Sequence, residues 1–142
     1  MFVSQILKAK GDLVFTATPS ETVSAVAALL QARRVGALVV LEADQVVGIV
    51  SERDITRAIA EDGASALSTP VSRYMTKDVH FAEPGDKVDD LMSQMTDRRI
   101  RHLPVCRNER LVGLVSIGDL VKAKISEVEA EADGLKAYIA AS

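Results

Sequence analysis

The chain has 142 residues, 48% of them hydrophobic, which suits one domain or two half-domains sharing a core. Its net charge of −3 shows no excess of Lys and Arg, which argues against a nucleic-acid partner. The single cysteine, Cys106, excludes a disulfide framework within one chain, and no run approaches the roughly 20 apolar residues that cross a bilayer.

In chain order, the opening MFVSQILKAKG lacks the apolar stretch of a signal peptide. A cytoplasmic chain with no membrane partner is therefore expected. Leu13 to Thr16 is a short β-rich run. Thr18-Pro19-Ser20-Glu21 opens a helix, with Val23, Val26, Ala27 and Leu30 at helical spacing and Gly36 as its stop. Ala37 to Leu41 is a continuous apolar run, read as a buried strand. Glu42 to Gln45 is a polar turn, Val46 to Val50 the next strand, and Ser51 begins a helix reaching about Ala60. Glu61 to Ser72, with Gly63, Pro70 and several serines, has the composition of a connector.

The order then repeats. At an offset of 65, fourteen of the forty-five positions from Val14 to Ala58 are identical to Val79 to Ala123. Chance at this composition gives about three or four. Phe81, Pro84, Val88, Leu91, Met92 and Met95, then Leu103 to Cys106, Leu111 to Val115 and a helix from Ser116 fill the same roles. The domains read as 1–65, 66–127 and a tail of 128–142. The fold class is α/β (α+β): two β-α-β-β-α repeats, expected about a pseudo-twofold axis, with a long C-terminal helix.

In that helix Val121, Ile125, Val128, Ala132, Leu135 and Ile139 form a heptad stripe, weakened by Gly134. It lies either on its own domain or against a second subunit. Arg33-Arg34 and Arg98-Arg99 sit at helix C-termini, where they complement the dipole. His80 falls on a strand surface beside Val79 and Phe81. With His102 it completes the histidines of the chain, and no Cys or carboxylate cluster accompanies either, so no metal site is expected. Cys106 reads as a buried, inert thiol.

Ser51-Glu52-Arg53-Asp54 and Ser116-Ile117-Gly118-Asp119 each follow a strand and open a helix. S-x-x-D reads in two ways. It is a capping box, with Ser accepting from the amide three residues on and Asp returning to the Ser amide. It is equally a carboxylate able to accept from both hydroxyls of a ribose, beside helix amides that suit a phosphate.

With these residues in order, the chain resembles a tandem pair of CBS domains, the cystathionine-β-synthase-type regulatory modules. The resemblance runs over residues 8 to 125. It rests on TPSETV and EPGDKV, on GALVVL and RHLPVC, and on GIVSERD and GLVSIGD. The tail KAKISEVEAEADGLKAYIA resembles small stand-alone bacterial members. The resemblance implies two clefts that bind adenosine-containing ligands: AMP, ADP or ATP, or S-adenosylmethionine or a dinucleotide such as NAD. It places Ser51, Arg53 and Asp54 opposite Lys77, Val79, Arg101, His102 and Leu103 in the first cleft. In the second it places Ser116 and Asp119 opposite Asp12, Val14, Gly36, Ala37 and Leu38.

On that assignment Arg53, Lys77 and Arg101 make the first cleft basic, whereas Gly118, Asp12 and Gly36 stand at the matching places of the second. A phosphate would then prefer the first. The expected function is a regulatory sensor with no chemical step and no catalytic cofactor, forming a homodimer and read by an unknown effector protein. A structural interaction protein without ligand is the alternative. An enzyme is disfavoured because the paired Ser and Asp lack a base.

Overall fold

The computed structural model describes residues 1–11 and 13–141. The chain falls into two compact units that do not follow chain order. One holds Leu13–His80 and Asn108–Val112; the other holds Met1–Asp12, Phe81–Arg107 and Gly113–Ser142. They are called here the first-repeat and second-repeat units.

In the first-repeat unit, β1 (Thr16–Ala17) lies parallel to β2 (Ala37–Glu42), and β2 lies antiparallel to β3 (Gln45–Ser51). β2 is the central strand, so its apolar run Ala37-Leu38-Val39-Val40 is fully buried. A register shift at Val40/Leu41 lets the strand enter a two-residue turn, Ala43-Asp44, where both residues have positive φ, 50° and 63°. Helices α2 (Val23–Arg33) and α3 (Glu52–Asp62) belong to the same unit. Its core is built from Ala17, Val23, Val26, Leu30, Leu38, Val40, Val50 and Ala58, joined by Ala66, Val71 and Tyr74.

Several expectations shift. β1 is shorter and later than Leu13 to Thr16. α2 begins at Val23, because Glu21 turns back to accept from the Thr18 amide at 2.8 Å and Thr22 is the residue that caps the helix. It ends at Arg34 rather than Gly36. Arg34 is left-handed (φ 54°) and returns its amide to Gln31 and Leu30, the role a glycine commonly fills. Arg99 does the same (φ 54°) after α4 (Val88–Arg98). Thus the second arginine of each Arg-Arg pair is the helix terminator itself. The connector is ordered: Gly63–Ser68 and Val71–Arg73 are 3-10 turns, with Ala66 and Val71 in the core.

The second-repeat unit contains α4, β4 (His102–Arg107), α5 (Ile117–Ala141) and most of β5 (Arg110–Ser116). β4 and β5 form a two-stranded sheet. Where the first repeat has β1, the second has only a single parallel bridge, Ala82 with Val105. His80 consequently lies outside any strand, and it is half-buried.

This unit also contains α1 (Val3–Lys10). Val3 and Ile6 are buried, and the amides of Val3 and Ser4 donate to the carbonyls of Asp86 and Pro84 at 2.9 Å. The first-repeat unit has its own counterpart. There the connector donates from Val71 to the Glu21 carbonyl at 2.8 Å and from Ser72 to the Pro19 carbonyl at 3.1 Å. Each repeat is therefore completed by the segment that precedes the other one.

The repeated glycines make room for this. A Cβ on Gly48 would meet Met75 Sδ at 2.6 Å, and a Cβ on Gly113 would meet Leu7 Cδ2 at 2.5 Å. Met75 lies in the first-repeat unit and Leu7 in the second-repeat unit. The same sheet position is glycine in both repeats because a side chain from the completing segment occupies it.

Candidate functional site

Both S-x-x-D motifs fold as capping boxes. β3 delivers Ser51 to the start of α3. Ser51 Oγ accepts from the Asp54 amide at 3.4 Å, and Asp54 Oδ2 accepts from the Ser51 amide at 2.9 Å and from Ser51 Oγ at 3.2 Å. Asp54 Oδ1 pairs with Arg57 Nη2 at 3.0 Å, one turn along α3, and the same guanidinium donates to the Tyr74 carbonyl at 2.8 Å. Asp54 is only 4% exposed. A carboxylate this deep has its polar atoms satisfied by amide, hydroxyl and guanidinium donors.

In the second-repeat unit, Ser116 Oγ accepts from the Asp119 amide at 3.1 Å, and Asp119 Oδ2 accepts from the Ser116 amide at 2.9 Å. Its cationic partner differs. Lys10, from the end of α1, places Nζ 2.7 Å from Asp119 Oδ2 and donates to the Leu114 carbonyl at 3.0 Å. Burial pushes the Asp119 carboxyl up, but the Lys10 ammonium and the Ser116 amide outweigh it and hold the group below the ordinary carboxylate value. A cavity of about 260 Å³ lies between α1 and α5, with Lys10, Asp119 and Lys122 on its wall.

The remaining expected site residues divide as follows. Val14, Gly36, Ala37, Leu38, Arg53, Lys77 and Val79 lie in the first-repeat unit with Ser51 and Asp54; Arg101, His102 and Leu103 lie in the second-repeat unit with Ser116 and Asp119. Asp12 is outside the described residues. Within each unit one backbone bond joins the entry of the second strand to the start of the S-x-x-D helix. Glu52 N–H donates to the Gly36 carbonyl at 3.1 Å, and Ile117 N–H to the Arg101 carbonyl at 2.9 Å. Ala37, Leu38 and Leu103 are fully buried and offer backbone rather than side chain. Arg53, Lys77 and Arg101 are exposed, whereas Val14, Val79 and His102 are half-buried.

Sequence reasoning missed Lys10 and Arg57. A signal for Lys10 was present: Val3, Ile6, Leu7 and Lys10 fall on one face of a helix at i, i+3, i+4 and i+7. Lys10 also narrows the charge contrast read from the sequence, because Asp119 has a cation at bonding distance after all. Cys106 is half-buried, and burial raises its thiol pKa, as suits an inert group. Among the described residues no group of His, Cys, Asp and Glu could hold a metal ion, and no helix is long and apolar enough to cross a membrane.

The CBS-domain family model matches residues 11–61 and 71–126. The chain is 38% identical to the mitochondrial CBS domain-containing protein CBSX3 of Arabidopsis thaliana, over 96% of this chain and 71% of that one. It superposes on the CBS-domain protein ATU1752 of Agrobacterium tumefaciens with a TM-score of 0.86 and 43% identity, covering 87% of this chain and 99% of that one. The CBS pair of protein MJ0100, solved with 5′-methylthioadenosine and S-adenosyl-L-methionine, has the same fold. Its TM-score is 0.80 at 23% identity, over 89% of this chain and 98% of that one.

Proposed function

The chain belongs to the CBS-domain family as a tandem pair, and we propose that this regulatory module senses an adenosine-containing ligand. Asp54 and Asp119 are the ribose-binding carboxylates. The observation that carries this reading is the duplication of one chemical device. Each repeat ends a strand in Ser, caps a helix with it, and holds an Asp at the third helical position with one oxygen tied to the Ser amide. Such a carboxylate is oriented in advance. At Asp119 the Lys10 and Ser116 bonds both fall on Oδ2, whereas at Asp54 a ribose hydroxyl has to compete with Arg57 for Oδ1. The adjacent helix amides suit a phosphate.

AMP, ADP, ATP, NAD and S-adenosylmethionine share the ribose that Asp54 and Asp119 would grip. Exposed Arg53, Lys77 and Arg101 are phosphate donors in this assignment, and Lys10 and Lys122 serve the same purpose beside Asp119. Val14, Val79 and the backbone of Gly36 to Leu38 and of Arg101 to Leu103 supply apolar surface and amide groups for the base. The module has no chemical step; occupancy is passed to a partner protein. MJ0100 supports the ligand class at the level of fold.

Titration calorimetry with this ligand set on the wild type, Asp54→Asn and Asp119→Asn tests the reading. Asparagine keeps an acceptor for the capping amide and loses the charge. At least one variant should lose ten-fold or more in affinity for a ligand that binds the wild type. Failure of every ligand to bind, with no thermal stabilisation, would favour a purely structural interaction protein.

A further inference from the structure

We propose that α5 forms a parallel two-stranded coiled coil with α5 of a second copy of this chain. The helix begins inside the second-repeat unit, where Leu120 is fully buried. From Val128 to Ala141 every residue is exposed. Its apolar stripe runs through the exposed part: Ile125 is 53% exposed, Val128 49%, Leu135 60% and Ile139 63%. With Val121 and Ala132 these residues alternate at spacings of four and three. The stripe is about 27 Å long, short for an isolated coiled coil. Here its first turns are already fixed by their own unit, so pairing need not nucleate the helix.

The occupant follows from the seam and its flanks. Ile125, Ala132 and Ile139 take the a positions, and Val121, Val128 and Leu135 take d. β-Branched residues at a favour two strands. Lys122, Glu129 and Lys136 take e, and Lys124, Glu131 and Tyr138 take g. In a parallel pair each g residue faces the e residue five further along in the other copy. Lys124 then meets Glu129, and Glu131 meets Lys136, both of opposite sign. An antiparallel pair aligned over the whole stripe brings Lys122 to Lys136, Glu129 to Glu129 and Glu131 to Glu131, all of like sign. Lys124 is also held by Asp89 of its own unit at 3.1 Å, so Glu131 with Lys136 carries the choice. Gly134 takes c and faces away from the seam. The inference does not depend on any ligand.

Sedimentation equilibrium on the full chain provides the first test. The wild type should dimerise. Lys136→Glu turns two symmetry-related attractions into repulsions and should raise the dimer Kd about ten-fold. Glu131→Lys/Lys136→Glu should restore it. An unchanged Kd for Lys136→Glu, or a tighter one because the new carboxylate meets Lys122 of the other copy, overturns the parallel coil. Cross-linking gives an independent reading. In a Cys106→Ser background, Leu135→Cys should oxidise to a covalent dimer, because equivalent d residues face each other. Failure of that variant to cross-link, with Ile125→Cys/Leu135→Cys doing so readily, would demonstrate the antiparallel arrangement instead. Circular dichroism of each variant confirms that the fold is retained.

Discussion

Replacing Lys10 with Met removes the ammonium that α1 sets beside Asp119 while keeping most of the side-chain length. The lysine makes two bonds, to Asp119 Oδ2 at 2.7 Å and to the Leu114 carbonyl at 3.0 Å. At 2.7 Å two unit charges in bulk water attract by about 1.5 kcal/mol. Partial burial strengthens this, since the Asp119 side chain is 25% exposed, but Lys10 at 40% is well screened and loses rotamer freedom. A net of about 1 kcal/mol for the pair follows, with a further 0.5–1 kcal/mol, roughly, from the bond to Leu114. Lys10→Met should therefore cost about 1.5–2 kcal/mol at pH 7. In a double-mutant cycle with Asp119→Asn, about 1 kcal/mol should emerge as coupling.

The pH dependence follows from the direction of the Asp119 shift. Its carboxyl is held below the ordinary Asp value of 3.8 in the folded chain. On acidification the unfolded chain binds its proton first. The coupling should be complete above about pH 4 and fade only as the pH falls through the lower folded-state value. Urea unfolding of the four proteins at pH 7, 5, 4 and 3 measures it. A coupling under about 0.3 kcal/mol at pH 7, or one already gone at pH 5, would refute the reasoning.

Three further outcomes are expected. Asp54→Ala should destabilise the protein by about 1–3 kcal/mol in chemical denaturation, because it strips the buried cap and takes the Asp54 partner from Arg57, which keeps its bond to the Tyr74 carbonyl; Asp54→Asn should cost less. Gly113→Ala should cost about 1–3 kcal/mol, since the new methyl meets Leu7 Cδ2 at 2.5 Å, and Leu7→Ala in the same chain should recover part of that loss. Arg34→Gly and Arg99→Gly should each raise thermal stability, by up to about 1 kcal/mol, by relieving a left-handed side-chain-bearing residue.

What could be read from the sequence was local and periodic. The runs Ala37 to Leu41 and Leu103 to Cys106 announced buried strands because a strand covered on both faces excludes polar side chains from most of its length. Ser51 and Ser116 announced helix starts because a cap is satisfied within four residues. What escaped depends on distant partners. α1 has only eight residues, and its burial rests on backbone bonds to Asp86 and Pro84. The connector looked polar because its packed residues, Ala66 and Val71, are scattered among serines and a glycine. Arg34 was passed over as a stop because the left-handed conformation is uncommon for a residue with a side chain, and the glycine two positions later was the more conspicuous signal. In the candidate sites, the carboxylates and serines were visible as motifs. Their cations were not, because Lys10 comes from another element and Arg57 looked like an ordinary helix-surface residue.

The exchange of completing segments bears on how the polypeptide matures during translation. The segment from Leu13 to His80 contains nearly all of its own unit and can begin to organise as soon as it leaves the ribosome. α1 emerges earlier yet has nothing to dock on. Its partners, Pro84, Asp86, Gly113 and Leu114, arrive roughly 75–105 residues later. At 5–20 residues per second that interval is about 4–20 s. Throughout it, the face bearing Val3, Ile6 and Leu7 stays in water, tethered to a half-formed body. α1, made before the body it docks on, is thus among the last elements of the pair to settle, and it is the segment a holding chaperone or a neighbouring nascent chain would meet.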